Sequence, residues 1–163
     1  PGMIALLTKH SYISFIKGIS PAQLLAFSTS SSAATLPVTM KSVQENLKVS
    51  EETSSFVLPI GATINMDGTS TYIGVAVVFL AQYHMVDLSF LDYGVILMTA
   101  TLASIGTAAI PSAGIVMMMV VLNSVGLNPN WIGIVLPVDR PLDMCRTVVN
   151  VTGDAAVSVA VDS

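Results

Sequence analysis

Charge is what this sequence most lacks. Only 10% of its 163 residues are Asp, Glu, Lys or Arg, against about 25% in an ordinary soluble domain. The deficit is uneven. All four lysines (Lys9, Lys17, Lys41, Lys48) and all three glutamates (Glu45, Glu51, Glu52) come before residue 53, so Arg140 and Arg146 are the sole full cations of the remainder. A formal net charge of −4 and so little arginine exclude an electrostatic nucleic-acid binder. The single cysteine, Cys145, excludes an intramolecular disulfide and a cysteine-pair metal site. Also missing is any clean apolar run of about 20 residues, the mark of a simple spanning helix. No signal peptide is expected: Pro1 to Leu7 has no basic region and no small-residue cleavage site follows, so the stretch reads as part of a longer chain.

What is present is strongly apolar. Hydrophobic residues make up 53% of the chain, and the mean hydropathy is +0.77. Tyr72 to Ala81, Gly94 to Ala103 and Ala113 to Leu122 carry no charge at all, which suits lipid, protein core or both. Each apolar stretch is interrupted by a polar cluster. A first unit over 12–40 is broken at the serine run Ser28 to Ser32, just before Leu36-Pro37. A polar, lysine-containing loop is predicted over 41–52. The next unit, 53–85, is long enough to span but is broken at Asn65-Met66-Asp67-Gly68-Thr69. A third, 89–126, is broken from Ser104 through Gly114, and a last helix covers 130–160.

Backbone can leave a helix at membrane depth only where protein or a water-filled cavity satisfies the freed N–H and C=O groups. The pattern therefore predicts an all-α membrane protein with two re-entrant helical hairpins, one broken transmembrane helix and one amphipathic transmembrane helix around a central binding site. Lys41 and Lys48 place the first loop in the cytoplasm by the positive-inside rule, and the later loops, free of Lys and Arg, outside. The two hairpin tips then approach from opposite sides.

The last helix carries the most informative constellation. At about 100° per residue, Asp139, Asp143, Arg146, Thr147, Asn150 and Asp154 share one stripe about 100° wide. A charge at the centre of a membrane helix costs about 2.5–3.5 kcal/mol, so such a stripe faces a cavity or partners. Asp143 and Arg146 are spaced i, i+3 and can pair simply to hold a bundle together. That pairing leaves Asp67 and Asp154 without a base, to be neutralised by protonation, a bound cation or a cationic substrate group. Asn65 and Asp67 lie in a helix break whose carbonyls, with a carboxylate, suit a hard cation such as sodium. Thr63, Ser104 and Thr107 add neutral oxygens, although small polar residues at such places also serve helix packing. Two other patterns carry nothing: Ser14-x-x-Lys17 lacks the partner motifs of penicillin-recognising enzymes, and the Asn150-Val-Thr152 sequon falls on the buried stripe.

Together, Asn65-Met-Asp-Gly-Thr69, the tip from Ser28 to Pro37, Gly106 to Gly114, and Asp143-Met-Cys-Arg-Thr147 through Asn150-Val-Thr-Gly-Asp154 resemble the glutamate/aspartate transporter family, the dicarboxylate/amino acid:cation symporters. The resemblance covers essentially the whole chain. It implies most of an elevator-type transport domain, incomplete here, which in the family moves against a trimeric scaffold in the plasma or inner membrane. It implies that Arg146 binds the substrate side-chain carboxylate and Asp143 its ammonium. Asn150 and the Ser30, Ser31 and Ser32 region would hold the α-carboxylate, with Thr69, Thr147, Ile110 and Gly114 lining the pocket. It also implies three sodium sites: Gly61, Asn65 and Asn150 carbonyls with the Asp154 carboxylate; Thr63, Ser104, Ile105 and Thr107; and Asn65 with Asp67 and an earlier helix. Ser30 and Met144 stand where acidic amino acid carriers usually place one further arginine.

The leading expectation is sodium-coupled symport of glutamate or aspartate, with Na+ as the co-transported ion. A proton-coupled or C4-dicarboxylate carrier of the same fold, and a structural membrane fragment without activity, stand as alternatives. A membrane hydrolase has no His or Lys at motif spacing to support it, so no enzymatic activity is expected.

Overall fold

Serine opens four of the helices. The hydroxyls of Ser11, Ser31, Ser50 and Ser89 each accept a hydrogen bond from the backbone N–H three residues on, satisfying one of the free donors at a helix start. In the computed structural model, which describes residues 2–8 and 10–163, these caps begin α2 (Tyr12–Thr29), α3 (Ser32–Leu47), α4 (Glu51–Ile64) and α6 (Phe90–Ile105). They join α1 (Gly2–Leu7), α5 (Asp67–Tyr83), α7 (Ala113–Ser124) and α8 (Leu136–Asp162), with a 3-10 helix over Pro129–Ile134. Among the described residues every regular element is helical.

The links are short because left-handed residues close them. Ser30 (φ 53°) ends α2 and Lys48 (φ 61°) ends α3, so two residues separate α2 from α3 and three separate α3 from α4. The loop expected over 41–52 is therefore mostly helix. Residues 41–47 are polar in composition, yet Ser42, Val43 and Leu47 are buried while Lys41 faces outward. Composition suggested a loop where one face of an amphipathic helix was at hand. The break near residue 65 is also narrower than expected. Only Asn65 and Met66 leave the helical region, and Asp67, Gly68 and Thr69 already form the first turn of α5.

The helices bury two large apolar clusters, besides a small one of Ala22, Ala26 and Val151 where α2 meets α8. One joins α5, α6 and α7 with the 3-10 helix through Ile73, Val77, Leu80, Ile96, Met118 and Leu122. The other joins α1 to α4 with the last turns of α8 through Phe15, Ile19, Val43, Leu47, Leu58 and Val159. The α8 helix packs on α2, α3, α4 and α5, and so ties the clusters together. Large apolar side chains also cover much of the outside: Phe90 is 94% exposed and Leu91 75%. The run Glu51–Tyr83, 33 residues counted across its break, is long and apolar enough to cross a membrane. At 1.5 Å per residue, α6 and α7 reach only about 24 Å and 18 Å, short of a hydrocarbon core of about 30 Å.

Where α5 meets α8 the contact is backbone to backbone. A Cβ on Gly68 would overlap the Arg146 carbonyl and lie 3.0 Å from Val149 Cβ. One added methyl there must push the helices apart, an overpacking that costs about 1–3 kcal/mol. Gly68→Ala is therefore expected to lower the melting temperature of the detergent-purified protein. Gly74→Ala, on the same helix with nothing within 4 Å of its added Cβ, is expected to leave it unchanged or raise it. Equal effects of the two would refute the close approach.

Candidate functional site

The centre of the molecule is polar because α8 turns its stripe inward. Asp139, Asp143, Arg146, Thr147, Asn150 and Asp154 are all buried, while Leu142 and Val149 on the opposite side are exposed. Asn150 explains how the broken helix is tolerated. Met66 supplies no side-chain cap to α5. Asn150 Oδ1 instead accepts from the N–H groups of Gly68 (2.8 Å) and Thr69 (3.4 Å), capping α5 from another helix. Its Nδ2 donates to Thr69 Oγ1 at 3.2 Å and to Met66 Sδ at 3.3 Å. The sulfur is thus built into the site, although only its place in the break motif marks it in the sequence.

Beside Asn150 lies a small cavity with free space of about 10 Å³, room for about one water. Ser30 and Ser32 reach it from the α2–α3 tip, Thr69 from α5, and Thr107, Ile110 and Gly114 from the α6–α7 tip and the start of α7. Asp143, Arg146, Thr147 and Asn150 complete it from α8. Of the ten residues expected to hold substrate, nine meet here. Ser31 does not line the cavity: its hydroxyl caps α3 and donates to the Ala109 carbonyl at 2.7 Å, joining the two tips.

The charges in the cavity are paired yet unfinished. Arg146 Nη2 lies 2.5 Å from Asp143 Oδ1, Nε donates to the same oxygen at 3.1 Å, and the guanidinium sits 4.8 Å from the Tyr72 ring centroid. Its Nη1 is buried with no acceptor, as is Ser30 Oγ. An unsatisfied buried donor costs about 1–3 kcal/mol, more when charged, so both groups suit an acceptor entering the cavity. Gly114 makes room for the guanidinium; a Cβ there would collide with Nη1.

The cation candidates fall into separate places. Asp154 is buried, accepts from Asn65 Nδ2 at 3.0 Å, and packs on Gly61, where an added Cβ would lie 2.7 Å from its Oδ1. Asp67 is exposed, with Oδ2 against Gly153. Ser104 and Ile105, at the carbonyl end of α6, border a second cavity with Ile64, Met66 and Asp67. Thr63 lies on the exposed face of α4, bonded to the Ile60 carbonyl, and Thr107 lines the cavity beside Asn150 instead. Among the described residues no three His, Cys, Asp or Glu side chains gather as metal ligands. Tyr72 and Ser112, unassigned in the sequence, prove to touch the charged stripe through Arg146, Asp139 and Asp143.

The helices of this chain break beside a buried, charge-lined cavity, and sequence comparison identifies the family in which this arrangement occurs. The profile of the sodium:dicarboxylate symporter family matches residues 1–163, and the chain belongs to that family. It is 50% identical to mouse (Mus musculus) excitatory amino acid transporter 5 over 155 residues, 95% of this chain and 28% of that protein. It is 46% identical to the putative sodium-dependent excitatory amino acid transporter glt-4 of Caenorhabditis elegans over 162 residues, 99% of this chain and 32% of that protein. Excitatory amino acid transporter 1 of Ambystoma tigrinum is 50% identical over 151 residues, 93% and 28% of the two chains. The chain thus spans about three tenths of the length of these relatives.

Proposed function

We propose that the full-length protein carries an acidic amino acid, glutamate or aspartate, across the cell membrane together with sodium ions, and that this chain supplies the substrate and ion sites. The observation that carries this reading is the unfilled Arg146 Nη1 in a cavity that also holds the Asp143 carboxylate. A planar guanidinium suits a carboxylate, and a carboxylate beside it suits an ammonium group. Thr147, Thr69, Ser30 and Ser32 offer neutral contacts for the rest of the ligand, and the relatives' names refer to excitatory amino acids.

Sodium would be held chiefly by oxygen. Asp154 with the Gly61, Asn65 and Asn150 carbonyls would form the best-enclosed candidate; the carbonyl end of α6 at Ser104 and Ile105 would form a second, which Thr63 and Thr107 could join only after a rearrangement. Asp67 and Asn65 form a third that needs cover from elsewhere in the longer protein, in keeping with the exposure of Asp67. We read α2–α3 and α6–α7 as re-entrant hairpins, α4–α5 as the broken transmembrane helix and α8 as the amphipathic one. The lengths of α6 and α7, too short to span singly, support this. The exposed apolar faces would meet lipid and a scaffold that is trimeric in the family. A C4-dicarboxylate carrier is the competing reading. It is favoured by Asp143, whose two oxygens are already engaged by Arg146 and by Ser112 N–H.

Two outcomes test the proposal in the full-length protein. Asp154→Asn and Asp67→Asn are each expected to weaken sodium-dependent substrate binding by roughly 10-fold or more, about 1.4 kcal/mol per decade. Unchanged sodium dependence in both removes the ion-site assignment. Arg146→Cys is expected to lower aspartate affinity by roughly one to two decades, matching the loss of a charge-assisted bond of about 1.5–3 kcal/mol, and to admit serine or alanine. Competition with aspartate, serine and succinate reads this out. Wild-type aspartate affinity in that variant would make Arg146 a structural partner of Asp143, whereas succinate displacing aspartate equally well in the parent would select the dicarboxylate reading.

A further inference from the structure

Ser112 occupies an unusual position. It precedes α7 at φ +59°, in the left-handed region that disfavours a non-glycine residue, and its side chain does not cap that helix. Both of its donors are turned toward α8. The backbone N–H donates to Asp143 Oδ2 at 2.7 Å, and the hydroxyl donates to Asp139 Oδ2 at 2.9 Å. Asp139 is 3% exposed, forms no ion pair among the described residues, and lies outside the cavity lining. Its other oxygen accepts from the Tyr72 hydroxyl at 2.9 Å. Tyr72 stacks under the Arg146 guanidinium, which pairs with Asp143. The contacts form a closed ring: Ser112, Asp143, Arg146, Tyr72, Asp139 and Ser112 again.

We propose that Ser112 and Asp139 form a latch that holds the 106–112 tip closed over the cavity, with Tyr72 orienting the Asp139 carboxylate. The inference rests on reading that tip as the gate of the substrate site. The two bonds of Ser112 differ in what a ligand does to them. A ligand ammonium reaching Asp143 competes directly for the oxygen that Ser112 N–H uses. Asp139 Oδ2 is not among the groups that line the cavity. The hydroxyl bond therefore survives occupation and keeps the tip down once the ligand is in place. Because Tyr72 touches Arg146, the anchor of the latch also senses the guanidinium that meets the ligand. Asp139 and Ser112 act here as positioning residues, not as ligand contacts. A serine is the residue this geometry needs: glycine would accept the φ angle but offers no hydroxyl, and alanine offers neither.

The experiment uses full-length protein with Cys145 and other reactive cysteines replaced and a reporter placed by Ala109→Cys. Labelling by a water-soluble maleimide is timed in detergent, with and without aspartate plus sodium, and melting temperatures confirm folding. In the parent, ligand is expected to slow labelling. Ser112→Ala is expected to raise the labelling rate of the liganded protein by about 10-fold, the scale of one lost hydrogen bond to a charged group. Ser112→Gly is expected to behave like Ser112→Ala, and the Ser112→Ala/Asp139→Asn double variant no worse than its more affected single, as for one shared bond. Parent-like labelling in Ser112→Gly alone would assign the effect to backbone strain and overturn the latch. Parent-like labelling in both Ser112 variants, with the parent still protected by ligand, would overturn the latch and leave the gate standing. A parent that labels equally with and without ligand would overturn the gate reading and the latch with it.

Discussion

The burial of Asp143 and Arg146 side by side on α8 is the constraint from which the rest of the structure follows. Moving an ion from water into a protein interior costs several kcal/mol even after relaxation, and a pair recovers this only with good geometry and further hydrogen bonds. The 2.5 Å contact between Nη2 and Oδ1 supplies the geometry. Ser112 N–H completes Asp143, and the face of Tyr72 attends the guanidinium. One nitrogen, Nη1, is left over. On the proposed reading, that remainder is the donor a ligand carboxylate would fill.

The same accounting governs the backbone. A helix that stops in the interior exposes free N–H groups at one end and free carbonyls at the other. The start of α5 is met by Asn150 Oδ1, a side chain borrowed from α8. The carbonyl ends of α4 and α6 lie near Asp67 and the second cavity instead, where partial negative charge favours a cation. Glycine permits these approaches. Gly61 admits Asp154, Gly114 admits Arg146, Gly153 admits Asp67, and Gly68 lets α5 lie on the backbone of α8. Three different elements, α4, α5 and α7, thus approach α8 and its charged stripe without a Cβ in the way.

The part of this that was legible in the sequence is the part written along one helix. The i, i+3, i+4 spacing of Asp143, Arg146, Thr147, Asn150 and Asp154 predicted a buried stripe, and all five are buried. Interruptions of the apolar runs by serine, glycine and proline located the tips at Ser30 and near Ile110. Relations between distant segments were not legible. Nothing local marks Tyr72 as the partner of Asp139 or Met66 as a neighbour of Asn150, because those contacts join residues 67 and 84 positions apart. Polar composition misled over 41–47, where an amphipathic helix was read as a loop. Ser31, which the family resemblance placed in the substrate region, spends its hydroxyl on capping α3 and on the Ala109 carbonyl.

A cavity with room for about one water has a kinetic consequence. On the proposed transport reading, an amino acid needs the tip to move, through an open form that breaks the bonds of Ser112 to Asp143 and Asp139 and that of Ser31 to Ala109. If the open form is a fraction f of the population, apparent affinity falls in proportion to f. A ligand recovers this only through contacts made after closure, here those of Arg146 Nη1 and Ser30 Oγ, the two groups unsatisfied without it. Tip closure over an empty site is tolerable because it leaves just these two groups in need. Closure over a carboxylate-bearing ligand is better because it satisfies them. On that proposed reading, a ligand without the carboxylate would shut the tip yet leave Nη1 unpaired, which would place discrimination in the closed state, after entry and not during it.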